Sequence, residues 1–341
     1  DGGFGRAPKF PQAMTIEFLL RHAQRTGDAH ARRMAEHTLE RMAAGGMYDH
    51  LGGGFARYST DNRWLVPHFE KMLYDNALLA RLYLRAAQVT GNRRFEHVAR
   101  STLDYLLADL VLPGGGFASS EDADSEGREG AFYVFTLDQV TAATGDDAPA
   151  ALAAFGVTAG GDLEGANVLH RAATDAEVAE QMGSTVDEAS AAITRSRERL
   201  RSERDARVRP ERDDKAVCAW NALAIRAFAE VGAALGEPRY LEASERAAGF
   251  LLTHLRNGDG RLLRAWRDGR ASGPGFADDY AATASAFLAL HQATGDTAWY
   301  RRAERVAADL VDLFWDDAGG GVFATGRDAE RLISRPKNLF D

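Results

Sequence analysis

Residues 45–92, GGMYDHLGGGFARYSTDNRWLVPHFEKMLYDNALLARLYLRAAQVTGN, hold one copy of the plan that decides the fold: a long glycine-punctuated loop, a helix and a tight turn. A second helix follows from 93 to about 110, and then another loop opening PGGGF at 113–117. The same order recurs outward in both directions. Upstream, a helical pattern beginning at about Pro11 runs to Gly27, and DAHARRMAEHTLERMAAGG follows with Asp28 as N-cap and Gly45 and Gly46 as stop signals. Downstream, residues 219–235 turn at GEP before a helix to about 255, and residues 280–294 turn at TGD before a helix to about 315. Helix pairs turning at Gly27, Gly91, Gly236 and Gly295, at a period of roughly 50 to 65 residues, describe an all-α architecture of repeated hairpins. Residues 130–212 are less regular. GAFYVFT has the aromatic and β-branched content of a strand, and the segments after it predict short helices making a fifth, distorted pair.

Alternating helices joined by tight turns and long loops put all the long loops at one end, which is where a site belongs. Those loops carry Tyr48, Asp49 and His50 in the first, Glu121, Asp122, Asp124, Ser125, Glu126 and Glu129 in the second, Asp213 and Asp214 in the third, and Asp278, Asp279 and Tyr280 in the fourth. With a helix starting near His68, the spacing places His68, Lys71 and Asp75 on one stripe, a set that suits proton transfer to a polar ligand. A simple Lys71–Asp75 ion pair with His68 at the helix start fits the same spacing. Each Asp pair precedes a helix, so one carboxylate of each is expected to cap and the other to face the pocket. Trp64, Trp220, Tyr48 and Tyr280, beside Asn221 and the acidic and imidazole groups, suit a neutral hydroxylated ligand; core packing is the alternative for each ring.

Composition narrows the classes. With 45% hydrophobic residues and a formal charge of -9, the chain reads as a mildly acidic globular protein, which makes nucleic acid an unsuitable partner. Its single cysteine, Cys218, excludes an internal disulfide and a multi-Cys metal site, and reads as a buried inert thiol. FASSEDADSEGREG (117–130) lacks the ordered spacing of an EF-hand, so calcium is not expected, and no phosphate-loop, dinucleotide or HExxH pattern occurs. No cofactor, metal or membrane partner is expected, a cytoplasmic home is the default, and nothing sets the oligomeric state.

GGFGRAPKFP, GGMYDHLGGGFARYSTDNRWLVPHFEKMLYDNA, SSEDADSEGREGAFYVF, DDKAVCAWNAL, FADDYA and RPKNLFD together resemble the spermatogenesis-associated protein 20 family over essentially the whole chain. The resemblance implies an (α/α)6 toroid similar to six-hairpin glycosidases and N-acylglucosamine 2-epimerases, with a small β insertion near 117–136 and inner helices from about 11, 68, 216 and 280. It also implies that this chain is the toroid part alone, lacking an N-terminal thioredoxin-like domain and a closing hairpin beyond Asp341. The family's WNGL stands here as WNAL, with Ala222 in the glycine position. The expected function is carbohydrate-active or carbohydrate-binding, with a small polyhydroxylated ligand. A hydrolase would draw its acid and base from Asp75 or Asp122 with Asp279. An epimerase or isomerase would use His68 or His50 as base. The alternative is a non-catalytic, partner-binding scaffold attached to a thioredoxin-like redox domain.

Overall fold

Glycine ends the first helix of each pair for a backbone reason. In the computed structural model, which describes residues 1–330 and 332–337, α1 (Ala13–Thr26) and α2 (Ala29–Ala44) flank Gly27, and α3 (Leu73–Thr90) and α4 (Arg93–Asp109) flank Gly91. The last four residues of the RPKNLFD motif lie outside the described residues. Three short helices follow, α5 (Leu137–Thr144), α6 (Ala148–Phe155) and α7 (Asp175–Met182), and then the long α8 (Val186–Asp205). Then α9 (Cys218–Leu235) and α10 (Pro238–His254) flank Gly236, and α11 (Ala277–Thr294) and α12 (Thr297–Phe314) flank Gly295. All four turn glycines sit at φ between 65° and 76°, a left-handed C-terminal conformation that a side chain disfavours.

The chain forms two compact units: Asp1–Tyr105 with Glu121–Arg212, and Leu106–Ser120 with the chain from Asp213 onward. In the first unit, α5 to α8 close around their own core of Phe135, Val140, Phe155, Val178, Ile193 and Leu200. Capping boxes at Thr136/Gln139, Thr174/Glu177 and Thr185/Glu188 start α5, α7 and α8, and they stabilise the eight-residue α5 and α7 in particular. GAFYVFT is not a strand. It forms turns, with a single bridge from Phe135 to Asn167, because Arg207 donates to the Phe132 and Val134 carbonyls that a ladder would have used. Within the expected β insertion, Asp124–Ser125 pairs with Arg128–Glu129 in a two-residue ladder, and Ser120–Glu121 is a further two-residue strand. The second unit holds a hairpin the sequence reading left as loop, Leu263–Arg267 against Arg270–Pro274, with Ala216–Val217 added at its edge.

Beneath the hairpin plan lies a finer repeat. Phe55, at the end of one GGGF run, has its N–H and C=O held by the amide of Asn76 (2.7 and 3.0 Å) and stacks on Tyr83 at 5.4 Å. Phe117, at the end of the second GGGF run, is held identically by Asn221 (2.8 and 3.0 Å) and stacks on Phe228 at 5.2 Å. Tyr83 meets Phe95, Phe228 meets Tyr240 and Phe287 meets Trp299, each pair twelve residues apart across a helix turn. By that register Tyr280 takes the asparagine position in α11, and its hydroxyl accepts the Leu262 N–H at 2.9 Å. The glycines before the phenylalanines are needed for clearance. A Cβ on Gly53 would lie 2.3 Å from the Ser101 carbonyl oxygen, and one on Gly116 2.5 Å from the Phe250 ring.

Candidate functional site

The 45–72 loop is fixed from beneath by buried charge. Asp49 accepts two hydrogen bonds from Arg204 Nη1 (2.8 and 2.7 Å), one from Lys71 Nζ (2.8 Å) and the Leu51 and Gly52 N–H groups. Burial alone would raise its pKa, but the Arg204 guanidinium and the Lys71 ammonium outweigh it and hold the carboxyl well below the usual range. Lys71 also donates to the Gly53 carbonyl and lies over the Tyr105 and Tyr133 rings at 4.3 and 5.0 Å. The hydroxyls of those two tyrosines donate to Glu121 Oε2, whose other oxygen takes Arg209 at 3.0 Å. Asp49, Lys71 and Glu121 are therefore internal ties that hold the loop.

One side of the loop lines a cavity of about 680 Å3, walled by Tyr48, His50, His97 and Ser101 among others. Tyr48 shares a 2.5 Å hydrogen bond with Ser101, and burial pushes its phenol up to about 12. His50 bonds the Gly45 carbonyl through Nε2 at 3.0 Å, and burial lowers its pKa to about 4. His50 is thus a neutral wall residue and a poor base near pH 7.

A second cluster forms where the loop enters α3. The helix starts at Leu73, so His68 and Lys71 are not on it and the expected stripe with Asp75 does not exist. Pro67–His68 instead pairs with Tyr58–Ser59, a register that continues as Arg57 N–H to the Glu70 carbonyl and brings the two side chains together at 3.0 Å. His68 stacks on Tyr58 at 4.9 Å, bonds Glu129 through Nδ1 at 2.7 Å and faces Glu70 through Nε2 at 3.6 Å. Asp75, in the first turn of α3, has its Oδ2 buried with no hydrogen-bond partner among the described residues. Burial pushes this carboxyl up to about 7, against the pull of Arg57 and the Tyr74 hydroxyl, and Glu70 pushes the same way as burial. Asp75 and His68 thus meet through Glu70 rather than along a helix. Arg57, Glu70 and Tyr74 were not singled out from sequence; alternation across a 58–68 ladder would have found the first two.

The remaining expected residues fall elsewhere. Trp64 is wholly buried, its Nε1 bonding the Gly2 carbonyl at 3.3 Å with Lys9 over its ring, so it is core and not a platform. Asp122 and Asp124 are exposed, and Asp124 N–H bonds Asp122 at 3.3 Å. In the second unit Trp220 is half-buried, while Asn221 is closed in by the Phe117 clamp and Tyr280 by Leu262 and Arg261. Asp213 and Asp214 do not cap α9, which begins at Cys218; Asp213 instead pairs with Lys215 at 3.1 Å. The cap comes from Asp279, which accepts Ala219 N–H and Phe276 N–H at 2.8 Å each and Arg264 Nη1 at 2.9 Å. Burial raises Asp279 to about 6 against Arg264. Asp278 is exposed and pairs with the same arginine at 2.8 Å. Cys218 is buried, and burial raises its pKa further from neutrality. Among the described residues no cluster of His, Cys, Asp and Glu has metal-binding geometry, and no helix is long and apolar enough to cross a membrane.

No family model matches the chain. Over its whole length it is 36% identical to human spermatogenesis-associated protein 20 and 35% identical to the mouse protein. The chain resembles the spermatogenesis-associated protein 20 family over its whole length. It spans about half the length of these relatives, 48% of each. Among solved structures, the chain is similar to an unsaturated glucuronyl hydrolase specific for heparin, with TM-score 0.55, 12% identity, and 92% of this chain and 65% of that one covered. It is also similar to an inactive variant of an α-1,6-mannanase of Salegentibacter in complex with α-1,6-mannotetrose, with TM-score 0.53, 14% identity, and 93% and 68% covered. At these identities the likeness shows the fold alone, the (α/α)6 toroid of the six-hairpin glycosidase-like class.

Proposed function

We propose that the chain is a carbohydrate-active domain in which Asp75 is the proton-donating acid. The observation that carries this reading is the buried, unpartnered Oδ2 of Asp75 beside Glu70. A carboxyl desolvated to about 7 keeps its proton near neutrality, so its unpartnered oxygen can accept from a ligand hydroxyl and the protonated acid can donate to a glycosidic oxygen. Glu70, ion-paired with Arg57, supplies the neighbouring carboxylate that a glycosidic displacement requires. His68, held between Glu129 and Glu70, is the group an epimerisation or isomerisation would use as base. The oligosaccharide named for the mannanase neighbour supports a polyhydroxylated ligand as the first class to test.

Product analysis against a panel of mono- and disaccharides, with Asp75→Asn and His68→Ala, separates the versions. Hydrolysis abolished in Asp75→Asn supports the acid assignment. Isomerised product lost only in His68→Ala moves the reaction to the imidazole. Full turnover in both variants, or no binding across the panel, contradicts the reading.

A further inference from the structure

The second unit contains a cavity of about 320 Å3 whose charge is not explained by anything above. Leu252 and Val306 line it with apolar surface, with the buried Leu262 and Phe287 behind them. Arg256, Arg301, Arg302 and Arg305 also line it, against one carboxylate, Asp309. None of these four arginines makes an ion pair among the described residues, although the chain carries a formal charge of -9. Arg256 is braced by its Nε bond to the Gly260 carbonyl at 3.0 Å, and Arg302 by stacking on Trp299 at 4.5 Å. Arg301 and Arg305 stand exposed one helical turn apart on α12, and like charges at that spacing repel. An unbalanced, partly pre-oriented guanidinium set above an apolar floor is the arrangement that recognises an oxyanion attached to a small body.

We propose that this cavity binds a small phosphomonoester whose body is the size of one sugar ring. The phosphate would take the forked donors of Arg301 and Arg305, which match its oxygens pairwise. The ring body would lie on Leu252 and Val306, the partly exposed apolar residues of the lining. The volume sits at the small end of ligand pockets and matches one ring. Asp309 opposes the negative charge and so limits the affinity. The inference does not depend on Asp75 or on any reaction.

The test is calorimetric titration of the chain with glucose 6-phosphate, with glucose and inorganic phosphate as separate arms. The expected result is saturable binding of glucose 6-phosphate, weaker binding of inorganic phosphate and none of glucose. Arg301→Gln with Arg305→Gln should weaken binding at least tenfold while leaving the helical circular dichroism intact. Asp309→Asn should tighten it several-fold, an effect that a purely structural role would not produce. The proposal is overturned if glucose 6-phosphate does not bind, if the double arginine variant binds it equally, or if Asp309→Asn leaves the affinity unchanged. It is also overturned if inorganic phosphate binds as tightly as the ester, since the apolar floor would then contribute nothing.

Discussion

Asp75 and Asp279 occupy the same register, each eight residues before the aromatic that meets its partner across the helix turn, Tyr83 in one case and Phe287 in the other. Both are in the first turn of a helix, and burial raises both, to about 7 and about 6. Their surroundings differ in one respect. Asp279 is saturated by two backbone N–H groups and Arg264, whereas Asp75 Oδ2 has no partner among the described residues. Desolvation alone therefore does not mark a functional carboxylate. An acceptor left open at a desolvated carboxyl is a cost that structure gives no reason for, and a ligand does.

The comparison can be broken most forcefully at Asp75. Asp75→Asn should lower turnover by roughly 10²- to 10⁴-fold, the range for losing a general acid, with the fold intact by circular dichroism. Asp279→Ala should do the reverse. It leaves two helix starts uncapped and removes one of the two carboxylates on the half-buried Arg264, so a loss of about 1–3 kcal/mol in denaturant unfolding is expected before any effect on chemistry. The two asparagine clamps sharpen the repeat itself. Asn76→Ala and Asn221→Ala each strand a buried N–H and C=O pair and should cost about 1–3 kcal/mol each, by similar amounts in the two units. A large difference between them would show that the shared geometry is not shared energetics.

The smallest effect is in pH dependence. The folded pKa of Asp75 lies above the unfolded value of about 3.9, so its contribution to stability is fully present below that value and is lost as pH rises through about 7. Asp75→Asn should remove that loss, narrowing the stability difference between pH 4 and pH 7 by about 1–3 kcal/mol relative to the parent chain.

Much of the scaffold is readable from residue type and spacing. The four turn glycines and Asp28 are local signals, because a left-handed C-terminus and an N-cap are decided within a few residues. Failures begin where distant segments compete. The 68–75 stripe failed because Tyr58 and Ser59 recruit His68 into a ladder, and GAFYVFT failed because Arg207, more than seventy residues away, takes its carbonyls. Trp64 and Asn221 read as ligand groups because an aromatic or an amide looks the same in sequence whether it meets a ligand or the protein's own backbone. Asp75 was legible as a candidate acid, but its distinguishing open oxygen is a property of the assembled loop.

Carboxyl carbon NMR of the chain between pH 3 and pH 9, with Asp75→Asn to assign the resonance, tests the central claim without knowledge of the substrate. The account predicts that the Asp75 carboxyl titrates near 7 and that its midpoint moves when a binding sugar is added. A midpoint near 4, unchanged by any ligand, would mean that Asp75 is an ordinary solvated carboxylate and that the site lies elsewhere.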